Sequence, residues 1–320
     1  MNRLNEEGTP AADVLAELRE ARRRDFTFES GRILGSMCTA PHPIGAEAHR
    51  LFLETNLGDP LLFPGARDLE VKAMEMVGSF LGAGPQGSGV FVTGGSEANF
   101  TALRMAVKRS GKREVVLPRS AHFSFDKTVD YLGLVPRFAD TLPDGTVDVD
   151  HVRRLIGPDT AAIVGIAGTT ELGVVDDIPA LSELAVSRGV HLHVDAAWGG
   201  FVIPFAKRLG HKVPDFDLAL PGVATLTVDP HKMGLAPVPA GILLSRDAAY
   251  FQDISIPSPY VSVEKQPTLQ GTRSGAAAAA TYAVLRHLGW RGYQDVVAEC
   301  FRVARLLDAR LRAMGAQVAR

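Results

Sequence analysis

Short apolar runs recur through the middle of the chain, at residues 89–93, 114–117, 134–138, 161–167, 190–194, 224–228 and 240–244. Each is brief and bounded by glycine, proline or polar residues, the form of strands buried on both faces. Most are separated by helix-length segments of mixed polarity: 97–110, 124–132, 148–156 and 177–188. This alternation predicts a mostly parallel sheet covered by helices on both faces. Upstream, residues 11–25 read as an amphipathic helix with Val14, Leu15 and Leu18 on one face. Residues 31–43 are irregular and rich in glycine and proline. Helical patterns then fill 45–57 and 67–82, and two further helices, 274–288 and 291–313, close the chain. There is no internal repeat, and the run Ala276–Ala280 is helix.

Composition narrows the picture. With 320 residues the chain can bury one large core and a smaller lobe. A net charge of −2 points neither to nucleic acid nor to an anionic membrane. Cys38 and Cys300 are far apart and in no metal-binding spacing, which argues against a disulfide framework and a zinc site. The first ten residues lack the apolar core of a signal peptide, and no run is long enough to span a bilayer. The expectation is a cytoplasmic protein.

Only eight of the 34 basic residues are lysines, so a lysine in apolar company stands out. Lys232 lies in Asp229-Pro230-His231-Lys232-Met233-Gly234, at the end of a predicted strand. Apolar surroundings disfavour an ammonium, and a neutral amine attacks aldehydes. Asp195 ends the preceding predicted strand, in His193-Val194-Asp195-Ala196-Ala197. Pyridoxal phosphate is an aldehyde whose ring nitrogen needs a carboxylate to stay protonated as an electron sink. Lys232 and Asp195 answer those two needs.

Other distinctive residues also fall at predicted strand ends, where open α/β sheets bind ligands. Gly94-Gly95-Ser96 opens a helix and suits an anion, although a simple capped turn reads the same way. It is neither a dinucleotide fingerprint nor a Walker loop. His191, His193 and Asp195 share one strand face by the period of two. They read as zinc ligands or as hydrogen-bonded strand residues, and Ala196-Ala197 leaves room for a flat ring instead. His122 reads as a ring-stacking residue or a local hydrogen-bonding one. Gly271-Thr272-Arg273-Ser274-Gly275 reads as a phosphate loop or a capped helix start.

Together these residues resemble the group II pyridoxal-phosphate-dependent decarboxylases, and most closely the archaeal L-tyrosine/L-aspartate decarboxylases. The matching stretches include Glu54-Thr55-Asn56-Leu57-Gly58-Asp59-Pro60, Thr93 to Asn99, Ser120 to Asp126, Gly165 to Gly173, His193 to Phe205, Asp229 to Gly234 and Ser258 to Gly275. The resemblance implies an α/β, fold-type I architecture. It has a mostly parallel seven-stranded sheet flanked by helices, a small C-terminal domain, and a homodimer with shared sites. Residues 1–45 would be an N-terminal helical segment, 46–288 the cofactor-binding large domain, and 289–320 the start of the small domain. Relatives of this kind run several tens of residues further, so the expectation is a shortened small domain.

By the same resemblance, Lys232 is the Schiff-base lysine and Asp195 the partner of the ring nitrogen. His122 stacks on the ring, with Ala197 on the opposite face. Gly95, Ser96 and His231 hold the phosphate, with Thr272 reaching in from the other subunit. Thr170 lies beside the ring, Asn56 lines the substrate pocket, and Tyr260 on a mobile loop donates a proton. The implied activity converts L-tyrosine to tyramine, a methanofuran precursor, or L-aspartate to β-alanine, a coenzyme A precursor. The alternatives are a glutamate decarboxylase, a sphingosine-phosphate-lyase-like enzyme, and a non-catalytic pyridoxal-phosphate-binding remnant.

Overall fold

The computed structural model of the chain describes residues 3–4 and 6–318. The first two residues and Arg320, on which the expectations about a leader and a shortened small domain touch, lie outside the described residues. All seven apolar runs become strands: β1 (Ser88–Val92), β2 (Glu114–Pro118), β3 (Val135–Ala139), β4 (Thr160–Ile166), β5 (His191–Asp195), β6 (Val223–Val228) and β7 (Gly241–Ser245). They form one sheet in the order β1-β7-β6-β5-β4-β2-β3. Strands β3, β2, β4, β5 and β6 run parallel, and β7 is antiparallel to β1 and β6. The expected mostly parallel seven-stranded sheet is present.

Strands β4, β6 and β7 are buried along their whole length, which is why they read as continuous apolar runs. Strand β5 alternates. Leu192 and Val194 enter the main core. His193 and Asp195 point to the other side and meet a helix there.

The helices are α1 (Ala11–Arg23), α2 (Pro43–Leu51), α3 (Pro64–Phe80), α4 (Gly95–Ser110), α5 (Ser124–Leu132), α6 (Val149–Leu155), α7 (Ile178–Arg188), α8 (Ile203–Arg208), α9 (Ala249–Ile254) and α10 (Gly275–Ala313). Local chemistry sets several starts. Asp148 caps α6 by accepting from the His151 amide at 3.0 Å, and Asp177 caps α7 by accepting from the Ala180 amide at 3.1 Å. Helix α10 breaks at Gly289, whose φ of 54° is left-handed, so the two expected closing helices are separate segments joined at a glycine. Helices α8 and α9 were not foreseen; six residues are too few for a 3.6-residue period to emerge. Two short strands, β8 (Ile256–Pro257) and β9 (Lys265–Gln266), pair antiparallel in the loop before α10.

Helix α2 stops at Leu51, short of the expected residue 57. The Asn56 side chain competes for the backbone there. Its Oδ1 accepts from the Gly58 amide at 2.8 Å and from the Arg273 amide at 3.1 Å. Arg273 then donates to the Leu57 carbonyl at 2.9 Å and pairs with Glu70 of α3, which also pairs with Arg67. Glu70 is fully buried at 0% exposure. This carboxylate ties the loop before α10 to the layer under β1.

Removing one partner of a buried ion pair leaves the other charge uncompensated. We expect Glu70→Gln to lower unfolding stability by about 3 kcal/mol, read from the shift in denaturant midpoint. A loss below about 1 kcal/mol would place this pair with ordinary surface bridges.

Candidate active site

Six segments converge on one cleft at the strand ends, with a volume of about 380 Å³. That is within the size of ordinary small-molecule sites. The turn after β1 contributes Gly94, Gly95 and Ser96 at the start of α4. His122 comes from the turn after β2, and Gly168 and Thr170 from the loop after β4. Asp195, Ala197 and Trp198 follow β5, and Asp229, His231 and Lys232 follow β6. Met37 reaches in from the N-terminal segment.

The turn after β6 folds back on itself. The Lys232 amide donates to the Asp229 carbonyl at 3.0 Å, which brings Lys232 Nζ to 3.2 Å from Asp229 Oδ2. Met233 beside it is buried, as the apolar flanks implied. The amine itself, however, faces a carboxylate three residues back that the sequence reading gave no role. Asp229 is 1% exposed, and burial raises its pKa, opposed by the charges of Lys232 and His231. Its Oδ1 is buried without a hydrogen-bond partner.

His231 accepts from the Ala240 amide through Nδ1 at 3.1 Å, so in the neutral ring the proton sits on Nε2. That nitrogen is 3.6 Å from Asp229 Oδ2. A side chain at residue 94 would collide with this ring: its Cβ would lie 2.9 Å from His231 Cε1. His122 accepts from the Ser124 amide through Nδ1 at 3.2 Å and packs on Phe123, ring centroids 4.2 Å apart. Burial holds His122 below the usual histidine range, with Asp195 pulling the other way.

Asp195 accepts from the Ala197 amide at 3.0 Å and from Asn99 Nδ2 at 2.9 Å. Asn99, one turn into α4, is the second residue the sequence reading passed over. At the head of α4, Glu97 Oε2 accepts from both the amide and the hydroxyl of Thr93 at 2.8 Å. The first amides of this 16-residue helix remain free for an anion.

Eight of the residues singled out from sequence line this one cleft: Gly95, Ser96, His122, Thr170, Asp195, Ala197, His231 and Lys232. Three do not. Asn56 spends its side chain on backbone amides. Thr272 lines a neighbouring cleft with Thr55, Thr93 and Ser274. Tyr260 is 90% exposed on the loop between β8 and β9. The zinc alternative finds no support, since His193 is hydrogen-bonded on both ring nitrogens. Among the described residues no cluster of metal-ligating side chains forms.

The pyridoxal-dependent decarboxylase conserved domain matches residues 61–317. The chain belongs to this family. It is a pyridoxal-phosphate-dependent decarboxylase. It is 50% identical over 284 residues to a probable L-tyrosine/L-aspartate decarboxylase of Methanothermobacter thermautotrophicus, covering 88% of this chain and 78% of that protein. It is 49% identical over 311 residues to the L-aspartate decarboxylase of Thermococcus kodakarensis, covering 96% and 81%. Its fold matches the sphingosine-1-phosphate lyase of Burkholderia pseudomallei with a TM-score of 0.91 at 32% identity, covering 98% of this chain and 76% of that one.

The cleft fits the family's cofactor. One amine, the Asp195 and Asp229 carboxylates and a helix start meet in it, and a glycine keeps the helix start open. A Cβ at Gly95 would lie 3.0 Å from Asp229 Oδ2 and 3.3 Å from the Ala197 methyl, filling space between the three segments. We expect Gly95→Val to weaken pyridoxal phosphate binding at least about tenfold (~1.4 kcal/mol). Fluorescence titration of the cofactor-free protein reads this, with the unfolding midpoint measured alongside to confirm that the variant stays folded. Unchanged affinity would move the cofactor away from this helix start.

Proposed function

We propose that this enzyme removes the α-carboxylate of an L-amino acid, with L-aspartate as substrate and β-alanine as product. The observation that carries the reading is the meeting of Lys232, Asp195 and the α4 start in one cleft of a family decarboxylase. Aspartate is the substrate common to the names of the two relatives above. The first of those names also carries L-tyrosine, so tyramine formation is the second reading.

The residues divide the work. Lys232 would be the amine that holds the cofactor through its aldehyde. Asp195 keeps a proton on the ring nitrogen. His122 and Ala197 would hold the ring from its two sides, with Thr170 nearby, and Gly95, Ser96 and His231 would hold the phosphate at the start of α4. The chemistry that bound pyridoxal phosphate supplies is an electron sink for the bond pair released when Cα loses its carboxylate. Asp229 neutralises Lys232 while the amine is free, and can accept the proton that this amine must lose before it attacks a carbonyl.

Asn56, Thr272 and Tyr260 complete the site from a second copy of the chain, in a homodimer. Thr272 adds a contact to the phosphate, Asn56 lines the substrate pocket, and Tyr260 returns a proton to Cα. Two exposures support this arrangement. No residue of α1 is buried in its own chain, although Val14, Leu15 and Leu18 form an apolar stripe. Tyr260 likewise lies open to solvent on a proline-punctuated loop, suited to closing over a neighbouring site. Among the described residues no helix is long and apolar enough to cross a membrane, and we place the enzyme in the cytoplasm.

Product analysis with each of L-aspartate, L-tyrosine and L-glutamate tests the substrate. We expect β-alanine to form fastest. Preferential tyramine or 4-aminobutyrate formation would reassign the pocket, and no amine at all with bound cofactor would leave a non-catalytic binder.

Subunit sharing has its own test. Lys232→Ala and Tyr260→Phe should each be nearly inactive, since general acid catalysis is worth roughly 10²–10⁴-fold. Refolded as a mixture, they should regain activity, because a mixed dimer assembles one site with both residues intact. No regain would place Tyr260 in the same subunit's site or outside the chemistry.

A further inference from the structure

The polar face of β5 carries more than Asp195. In register, His193 lies opposite Thr225 of β6, and Asp195 opposite Thr227. Helix α4 lays Asn99 across both pairs. The contacts form one unbroken line. Asn99 Nδ2 is 2.9 Å from Asp195 Oδ2, and Asn99 Oδ1 is 3.0 Å from His193 Nε2. His193 Nδ1 is 2.9 Å from Thr225 Oγ1, which is 2.8 Å from His191 Nε2. His193, Asn99 and Thr225 are buried, and His191 opens on a separate cleft at the other end of the strand.

Elementary hydrogen-bond rules fix the direction of this line. An ionised carboxylate only accepts, so the Asn99 amide turns its NH₂ toward Asp195. Its carbonyl oxygen therefore faces His193 and also accepts from Thr227 Oγ1 at 2.9 Å. Asn99 Oδ1 favours the His193 proton on Nε2, which leaves Nδ1 to accept. The Thr225 backbone carbonyl beside the ring favours Nδ1–H instead, and the buried Asn99–Asp195 bond decides between them for Nε2–H. Thr225 gives its hydroxyl proton to Nδ1, and its oxygen accepts from His191 Nε2. Each of these donors points along the line toward Asp195, and the second Asn99 N–H goes to Ser124 Oγ at 3.1 Å.

We propose that His193 and Asn99 are positioning residues for Asp195: a one-way donor chain that runs from His191 along β5 and locks the orientation of the carboxylate that faces the cofactor ring nitrogen. The chain offers no competing proton near neutral pH. Burial lowers His193 to about 3, so it stays a neutral donor as pH falls through the mildly acidic range. The other charged or titratable groups that line the cleft with Asp195 are Glu97, His122, Asp229, His231 and Lys232. The proposal rests on the reading of Asp195 as the ring-nitrogen partner, but the polarity of the chain can be measured without any cofactor.

Nitrogen-15 NMR of the histidine rings in the cofactor-free protein reads that polarity directly. We expect His193 to be the neutral Nε2–H form from mildly acidic to mildly alkaline pH. An Nδ1–H form or an imidazolium would overturn the proposal, whatever the fate of the active-site reading. The second arm uses cofactor labelled at its ring nitrogen. Asn99→Leu should weaken cofactor binding roughly ten- to a hundred-fold and shift the ring nitrogen signal toward the unprotonated form. Thr225→Val, nearly the same shape, should release the His193 tautomer while the fold is kept. His193→Gln, which retains a donor, should come closer to the parent ring-nitrogen signal than His193→Phe. Folded variants with the parent signal and affinities within about twofold of the parent would make these residues ordinary packing and sink the idea.

Discussion

The parallel pairing of β5 with β6 is the constraint on which this site depends. It sets Asp195 opposite Thr227, so the two strands end side by side and their following turns open into the same cleft. One turn carries a carboxylate on the strand's own last residue. The other needs four more residues to bring Lys232 back against Asp229. A slip of one residue in β5 would turn Asp195 into the core and Val194 into the cleft. Leu192 and Val194, packed in the main core, make that slip expensive.

Charge is arranged around that register with little waste. Asp195 and Asp229 both open on the cleft, and each has its own neighbourhood. Asp195 is held by two N–H donors and backed by neutral groups. Asp229 is held by Lys232 and His231, with one oxygen left bare. The first is fixed in place by its donors, and the second pairs with the amine of the cleft. A helix start and an open glycine complete the cradle on the third side. Away from the cleft, Glu70 and Arg273 give the loop before α10 a buried anchor.

Much of this was legible from residues alone, because the strands are short, apolar and regularly spaced. Lys232 stood out as one of few lysines and Asp195 as a charge at a strand end. What stayed hidden shares one physical cause. Asp229 precedes a proline in a turn, where aspartate is common for local reasons. Only the folded turn reveals that it faces the amine. Asn99 sits one turn into a helix, and nothing in a helical period says which polar residue faces the sheet. His193 was visible as part of an alternating face, yet its contacts with Thr225 and Asn99 appear only once the elements pack together. The unit of function here is a set of contacts between elements, and the pattern within each element does not contain it.

The central claim is that the amine of Lys232 is where this family's cofactor attaches, with Asp195 beside it. Borohydride reduction of the enzyme loaded with pyridoxal phosphate, followed by peptide mapping, tests it most directly. The account predicts one labelled peptide, carrying Asp229-Pro230-His231-Lys232, and no label once Lys232 is replaced by alanine. Label on Lys127, Lys207 or another lysine in the parent enzyme would contradict it.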